Sequence, residues 1–135
     1  MSKRLLMVLA AMFAALVMVG GVAYAATLVG TDKDDTLNGT NEADNIRGLG
    51  GSDEIRGDQA ADDLFGGRGA DEVRGGRGED DMSGGDGRDA IYGGNASDYI
   101  TANDGVRDYI ECGQGDEDRV DADNRDVLKN CEKIK

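Results

Sequence analysis

One large apolar residue recurs every nine positions along most of this chain: Leu28, Leu37, Ile46, Ile55, Leu64, Val73, Met82, Ile91 and Ile100. The interval then widens to ten, giving Ile110 and Val120. In triplets such as Glu72-Val73-Arg74 the apolar residue is flanked by polar ones, the out-in-out alternation of a short half-buried strand. Two residues before each apolar member after the first stands an aspartate: Asp35, Asp44, Asp53, Asp62, Asp71, Asp80, Asp89, Asp98, Asp108 and Asp118. Two residues after it stands a glycine from Gly30 to Gly93, until Ala102 and Cys112 break the series. Six residues of the Gly66-to-Asp71 type therefore separate successive triplets. Glycine is favoured where backbone must turn with φ > 0 or approach another group closely. Two repeats make one coil, and the strands fall alternately on two opposed, short-stranded parallel sheets. Leu37, Ile55, Val73 and Ile91 line one inner face, and Ile46, Leu64, Met82 and Ile100 the other. The expected fold is an all-β solenoid.

The start of the chain reads differently. Lys3 and Arg4 precede an apolar run from Leu5 to Val19, then Gly20-Gly21 and Ala23-Tyr24-Ala25. A basic start, an apolar middle shorter than the roughly 20 residues of a membrane span, and small residues at a cleavage position describe a secretory leader over residues 1–25. An uncleaved anchor is the other reading. With the leader removed, the chain is expected to be secreted and to carry no membrane span.

Charge narrows the partners. Without Lys3 and Arg4, 13 basic residues face 28 acidic ones, a formal charge of −15 for residues 26–135. Nucleic acid is excluded as a partner, because phosphate binding needs a basic surface that displaces counterions. Composition alone, acidic and poor in large apolar side chains, describes a disordered chain. The periodicity overturns that reading.

One large apolar residue per nine is a thin core against the entropy of ordering nine residues, so the turns must add stability. Coils stack about 4.8 Å apart, which places aspartates two repeats apart over one another. Asp71 meets Asp89 on one edge, and Asp80 meets Asp98 on the other. Such columns repel unless a hard dication that favours carboxylate and carbonyl oxygens bridges them. Aspartate can also cap its own turn, but Asn or Ser would serve as well, and neither occupies the slot.

The clearest copies are Gly66-Gly67-Arg68-Gly69-Ala70-Asp71-Glu72-Val73-Arg74 and the two that follow, with Gly75, Gly76 and Gly78, then Gly84, Gly85 and Gly87, in the glycine slots. They match the nonapeptide G-G-x-G-x-D-x-U-x, where U is large and apolar. From Gly30 to about Asp121 the chain resembles the hemolysin-type (RTX) calcium-binding repeat family. The resemblance implies a right-handed parallel β-roll with several Ca2+ ions between successive turns, held by the ten aspartates and by carbonyls of the turn glycines just named. Gly39–Asp44 and Gly57–Asp62 lack the later turn glycines, so weaker sites are expected there.

Cys112 and Cys131 close the chain in a pattern that resembles the tail of some secreted bacterial repeat proteins of this kind. Asp126-Val127-Leu128 is one more Asp-x-apolar unit, which would set Ile110 and Leu128 one coil apart and bring the cysteines within disulfide reach. An oxidising compartment permits the bond; free thiols or a metal pair are the alternatives. Three segments follow: a leader at 1–25, the calcium-binding roll at 26–121 and a disulfide-bearing cap at 122–135. The chain has no histidine, which removes Ser-His and Cys-His nucleophilic pairs. The expected function is a calcium-dependent structural or surface-interaction module. A small secreted enzyme of unrecognised type is the alternative, and the sequence specifies no macromolecular partner.

Overall fold

A computed structural model of the chain describes residues 24–115 and 117–134. The expected leader lies outside the described residues except for Tyr24 and Ala25. Among the described residues thirteen strands follow one another: β1 (Thr27–Val29), β2 (Thr36–Asn38), β3 (Asn45–Gly50), β4 (Glu54–Gln59), β5 (Asp63–Arg68), β6 (Glu72–Arg77), β7 (Asp81–Asp86), β8 (Ala90–Asn95), β9 (Tyr99–Ala102), β10 (Tyr109–Gln114), β11 (Arg119–Ala122), β12 (Val127–Lys129) and β13 (Lys133–Ile134). Odd-numbered strands form one parallel sheet in chain order and even-numbered strands the other. The described residues contain no helix, and so none long and apolar enough to cross a membrane.

Register follows the repeat. Val73 pairs with Ile91 and Leu64 with Met82, each 18 residues on. The ten-residue intervals are absorbed in turns, since Ile91 still faces Ile110 and Ile100 still faces Val120. Side chains of Ile46, Ile55, Leu64, Val73, Met82, Ile91, Ile100, Ile110 and Val120 fill the space between the sheets and are essentially inaccessible. Leu28, Leu37 and Leu128 pack on this core from the two ends and are only partly covered.

The central strands are six residues long, twice the expected triplet. Between six-residue strands pairing continues through the first half of the turn, with Gly67 opposite Gly85 and Arg68 opposite Asp86. A positive φ at the second turn residue lets the chain bend while its amide and carbonyl keep bonding to the coils on either side. Gly67 takes this conformation freely at φ +119. Leu49 (φ 81) and Asp58 (φ 85) are held in it at the same position.

Cys112 and Cys131 form a disulfide with Cα atoms 5.1 Å apart. Ile110 and Leu128 are register partners on adjacent strands, which delivers the two cysteines to one another. Cys112 is fully buried at the slot that Gly93 fills one coil earlier. Cross-linking residues separated by 19 positions stabilises by about 3 kcal/mol in a chain-entropy account. Solenoid coils contact mainly their neighbours. Reduction in the presence of calcium is therefore expected to remove amide protection after about Asn103 and to spare residues 66–101. Hydrogen exchange before and after reductant checks this, and uniform loss along the chain would contradict it.

Side chains on the outer face of the even-numbered sheet contact one another within and between strands. Arg56 pairs with Glu54 and Arg74 with Glu72, Arg74 lies 5.1 Å from the Tyr92 ring centre, and Tyr92 packs 6.0 Å from Tyr109. Lys129 reaches Glu111 at 2.9 Å. These contacts are exposed and individually weak.

Candidate metal centre

Each aspartate of the series ends a six-residue turn and precedes a strand, so the parallel stacking of strands stacks the aspartates into two columns. They meet in a way the repeat alone did not specify. The amide of Asp35 donates to Oδ1 of Asp53, that of Asp53 to Asp71, Asp71 to Asp89, Asp89 to Asp108 and Asp108 to Asp126, at 2.8–2.9 Å. On the opposite edge the amides of Asp44, Asp62, Asp80 and Asp98 donate in turn to Asp62, Asp80, Asp98 and Asp118, at 2.8–3.0 Å. One oxygen of each carboxylate thus clasps the coil before it. A neutral Asn could accept the same bond.

The second oxygen distinguishes aspartate from Asn. Oδ2 of Asp53, Asp62, Asp71, Asp80, Asp89, Asp98, Asp108 and Asp118 is buried and has no hydrogen-bond partner. These residues are at most 3% exposed. A buried carboxylate oxygen left unpaired is costly, and eight in succession call for a cation.

Oxygen atoms also surround the turn glycines. A Cβ on Gly66, Gly75 or Gly84 would meet Oδ2 of Asp71, Asp80 or Asp89, the aspartate of its own turn. A Cβ on Gly67, Gly76 or Gly85 would run into the carbonyl oxygen of Leu49, Asp58 or Gly67, one coil back. A Cβ on Gly69, Gly78 or Gly87 would run into that of Gly51, Ala60 or Gly69. Among the described residues no three Asp, Glu or Cys side chains converge as a metal cluster. The available donor set is therefore one carboxylate per turn completed by backbone carbonyls, an all-oxygen set of the kind calcium accepts with variable geometry. It suits zinc poorly, because the chain lacks histidine and both cysteines are paired.

The two turns short of glycines are not alike. The turn of Gly57–Asp62, short of glycines, keeps the central form, with Asp58 and Ala60 at positive φ and Asp62 Oδ2 unpaired. The turns of Asp35 and Asp44 differ, because Thr31 and Thr40 donate their amides to these carboxylates at 2.6 and 2.5 Å. Asp126 heads an Asp-x-apolar unit beyond the series of ten and accepts the Asp108 amide. Asp104 and Asp123 had no periodic signal. Their carboxylates accept from the amides of Gly87 and Gly105, where central coils use a carbonyl, as in Gly69 to Asp86.

Burial dominates the electrostatics. It pushes Asp62, Asp80 and Asp108 up to about 6 and Asp89 and Asp98 up to about 7, from an ordinary 3.8. The amide one coil back pulls the other way, and neighbouring carboxylates add to the rise. Asp53 and Asp71 are raised for the same reasons. Carboxyls with raised folded-state values make the metal-free roll bind more protons than the unfolded chain. That contribution is fully present below about pH 4 and is lost as pH rises through 6–7. Metal-free protein is thus expected to gain β structure on acidification from pH 7.5 to 4.5, measured by circular dichroism in excess chelator. A flat or falling β signal would contradict it.

The family model for the RTX calcium-binding nonapeptide repeat (4 copies) matches the chain in overlapping windows at residues 21–55, 29–64, 38–73, 56–91 and 74–106. No curated protein gives a significant match. Two parallel sheets, unpaired turn carboxylates and matched windows running from residue 21 to 106 agree, and the chain belongs to the RTX calcium-binding nonapeptide repeat family, whose repeats bind calcium in a β-roll.

Proposed function

We propose that this chain is an exported scaffold whose assembly is conditional on calcium. Asp53, Asp62, Asp71, Asp80, Asp89, Asp98, Asp108 and Asp118 each offer Oδ2 to a calcium ion between turns, and turn carbonyls supply the remaining oxygens. The observation that carries the reading is the run of eight buried carboxylate oxygens without a partner. Calcium makes the roll rigid, and its outer faces then serve as a structural or contact surface outside the cell. The leader-like pattern of residues 1–25 and the disulfide, which needs an oxidising compartment, support export.

Equilibrium dialysis tests the metal. Wild-type protein is expected to take up several calcium ions, and Asp71→Asn together with Asp89→Asn to lower that number while leaving the clasping hydrogen bonds possible. Unchanged calcium uptake in the double variant would remove these residues from the site. Expression of the full chain in a secreting bacterial host tests export, with a medium-borne product beginning at Ala26 as the expected result. A product retained in the cytosol with Met1 intact would contradict it.

A further inference from the structure

The repeat runs without interruption from Asp35 to Asp126, yet the chemistry of its carboxylates does not. In the eight central turns, from Asp53 to Asp118, Oδ2 is buried and unpaired. At the ends the same atom is satisfied by the chain itself. Asp44 Oδ2 accepts the Thr40 amide at 2.5 Å, and its Oδ1 accepts the Ala26 amide at 2.5 Å and the Thr40 hydroxyl at 3.1 Å. Asp35 Oδ2 accepts both the amide and the hydroxyl of Thr31, at 2.6 and 2.9 Å. At the other end, Asp126 takes the Asp108 amide on Oδ1 and the Asp123 amide on Oδ2.

The second turn residue accounts for most of the contrast. In the turns that follow the six-residue strands this residue belongs to the strand, has positive φ and spends its backbone groups on the coils beside it, as Gly67 does between Leu49 and Gly85. The turn that ends at Asp108 follows the four-residue β9 and lacks this feature, yet its Oδ2 is also unpaired. β1 and β2 are edge strands of three residues, so Thr31 and Thr40 lie outside the ladder and neither has positive φ. Their amides are free to close on the aspartate, and their hydroxyls also accept from the amides of Lys33 and Glu42, two residues further on.

We infer that the turns of Asp35, Asp44 and Asp126 are metal-free locks that close the two ends of the roll, and that calcium is confined to the turns between them. This rests on the calcium reading above, and it departs from the repeat pattern, which includes Asp35 and Asp44 among the ligands. A lock at each end satisfies turn polar groups where a terminal coil has no further coil to share an ion with. It also gives the ion column defined ends.

The test counts calcium and measures stability separately. Calcium bound per chain at saturation is measured by equilibrium dialysis for wild type, Asp44→Asn, Asp80→Asn and Thr40→Ala, with melting followed by circular dichroism in the same calcium. Asp80→Asn is expected to lose at least one ion. Asp44→Asn and Thr40→Ala are expected to keep the wild-type number, and Thr40→Ala to melt about 4–8 °C lower as the hydroxyl bonds to Asp44 and Glu42 disappear. A calcium deficit in folded Asp44→Asn equal to that of Asp80→Asn overturns the inference. If Asp44→Asn does not fold, Thr40→Ala decides: an unchanged melting temperature overturns the lock, and a lowered one with full calcium supports it. Wild-type protein that binds no calcium would instead overturn the calcium reading itself.

Discussion

Excess chelator at pH 7.5 is expected to abolish most of the β circular dichroism of residues 26–135, and returned calcium to restore it. Three features of the chain act together. The core is a double row with one large side chain per repeat, so burial alone sets little against the entropy of ordering nine residues. The segment carries a formal charge of −15, and its acidic groups are stacked rather than dispersed. Eight carboxylate oxygens are buried without a partner, each at a cost that an isolated coil cannot meet. A dication held by carboxylate and carbonyl oxygens answers the last two at once, and its binding free energy becomes folding free energy. Magnesium is expected to restore the signal poorly at equal concentration, because it dehydrates reluctantly and demands a tighter octahedron. A β signal that persists unchanged in chelator at pH 7.5 would contradict this account. Partial recovery on acidification in chelator would not, since protons also neutralise the buried carboxyls of Asp89 and Asp98.

The architecture was legible because each repeat states its whole geometry in nine residues. The interval from Val73 to Ile91 gives the pairing of their strands directly, and the alternation around each apolar residue assigns its inner face. The cysteine pairing was readable for the same reason, once Leu128 was placed opposite Ile110. What the repeat could not convey were differences between chemically similar turns. Asp44 and Asp62 stand in turns equally poor in glycine, yet one is closed by Thr40 and the other keeps an unpaired oxygen. The difference lies in the φ angle of the second turn residue, and that depends on whether a neighbouring strand claims its backbone. Counting spacing cannot see it. Nor can spacing show that one oxygen of each aspartate from Asp53 to Asp118 is already committed to the coil before it, which leaves a single oxygen for an ion.

Replacement of Gly69 by Ala is expected to be the most damaging single-methyl change among the turn glycines. A Cβ there would sit 1.8 Å from the carbonyl oxygen of Gly51, and this neighbour is backbone that cannot swing aside. The φ of +125 at Gly69 is itself a conformation that side chains avoid, at about 1–3 kcal/mol. Relief requires the two turns to part, which under the proposed function separates turn carbonyls and carboxylates that calcium would bridge. The expected loss is roughly 3 kcal/mol in calcium, with the calcium midpoint for folding moved upward. Gly105→Ala is the internal control. Its φ of +83 is also positive, but nothing lies within 4 Å of its Cβ, so the loss should be near 1 kcal/mol, the cost of the backbone conformation alone. Urea denaturation at fixed saturating calcium measures both. Equal losses would mean that left-handed backbone, rather than the close approach of stacked oxygen-lined turns, is what these glycines provide.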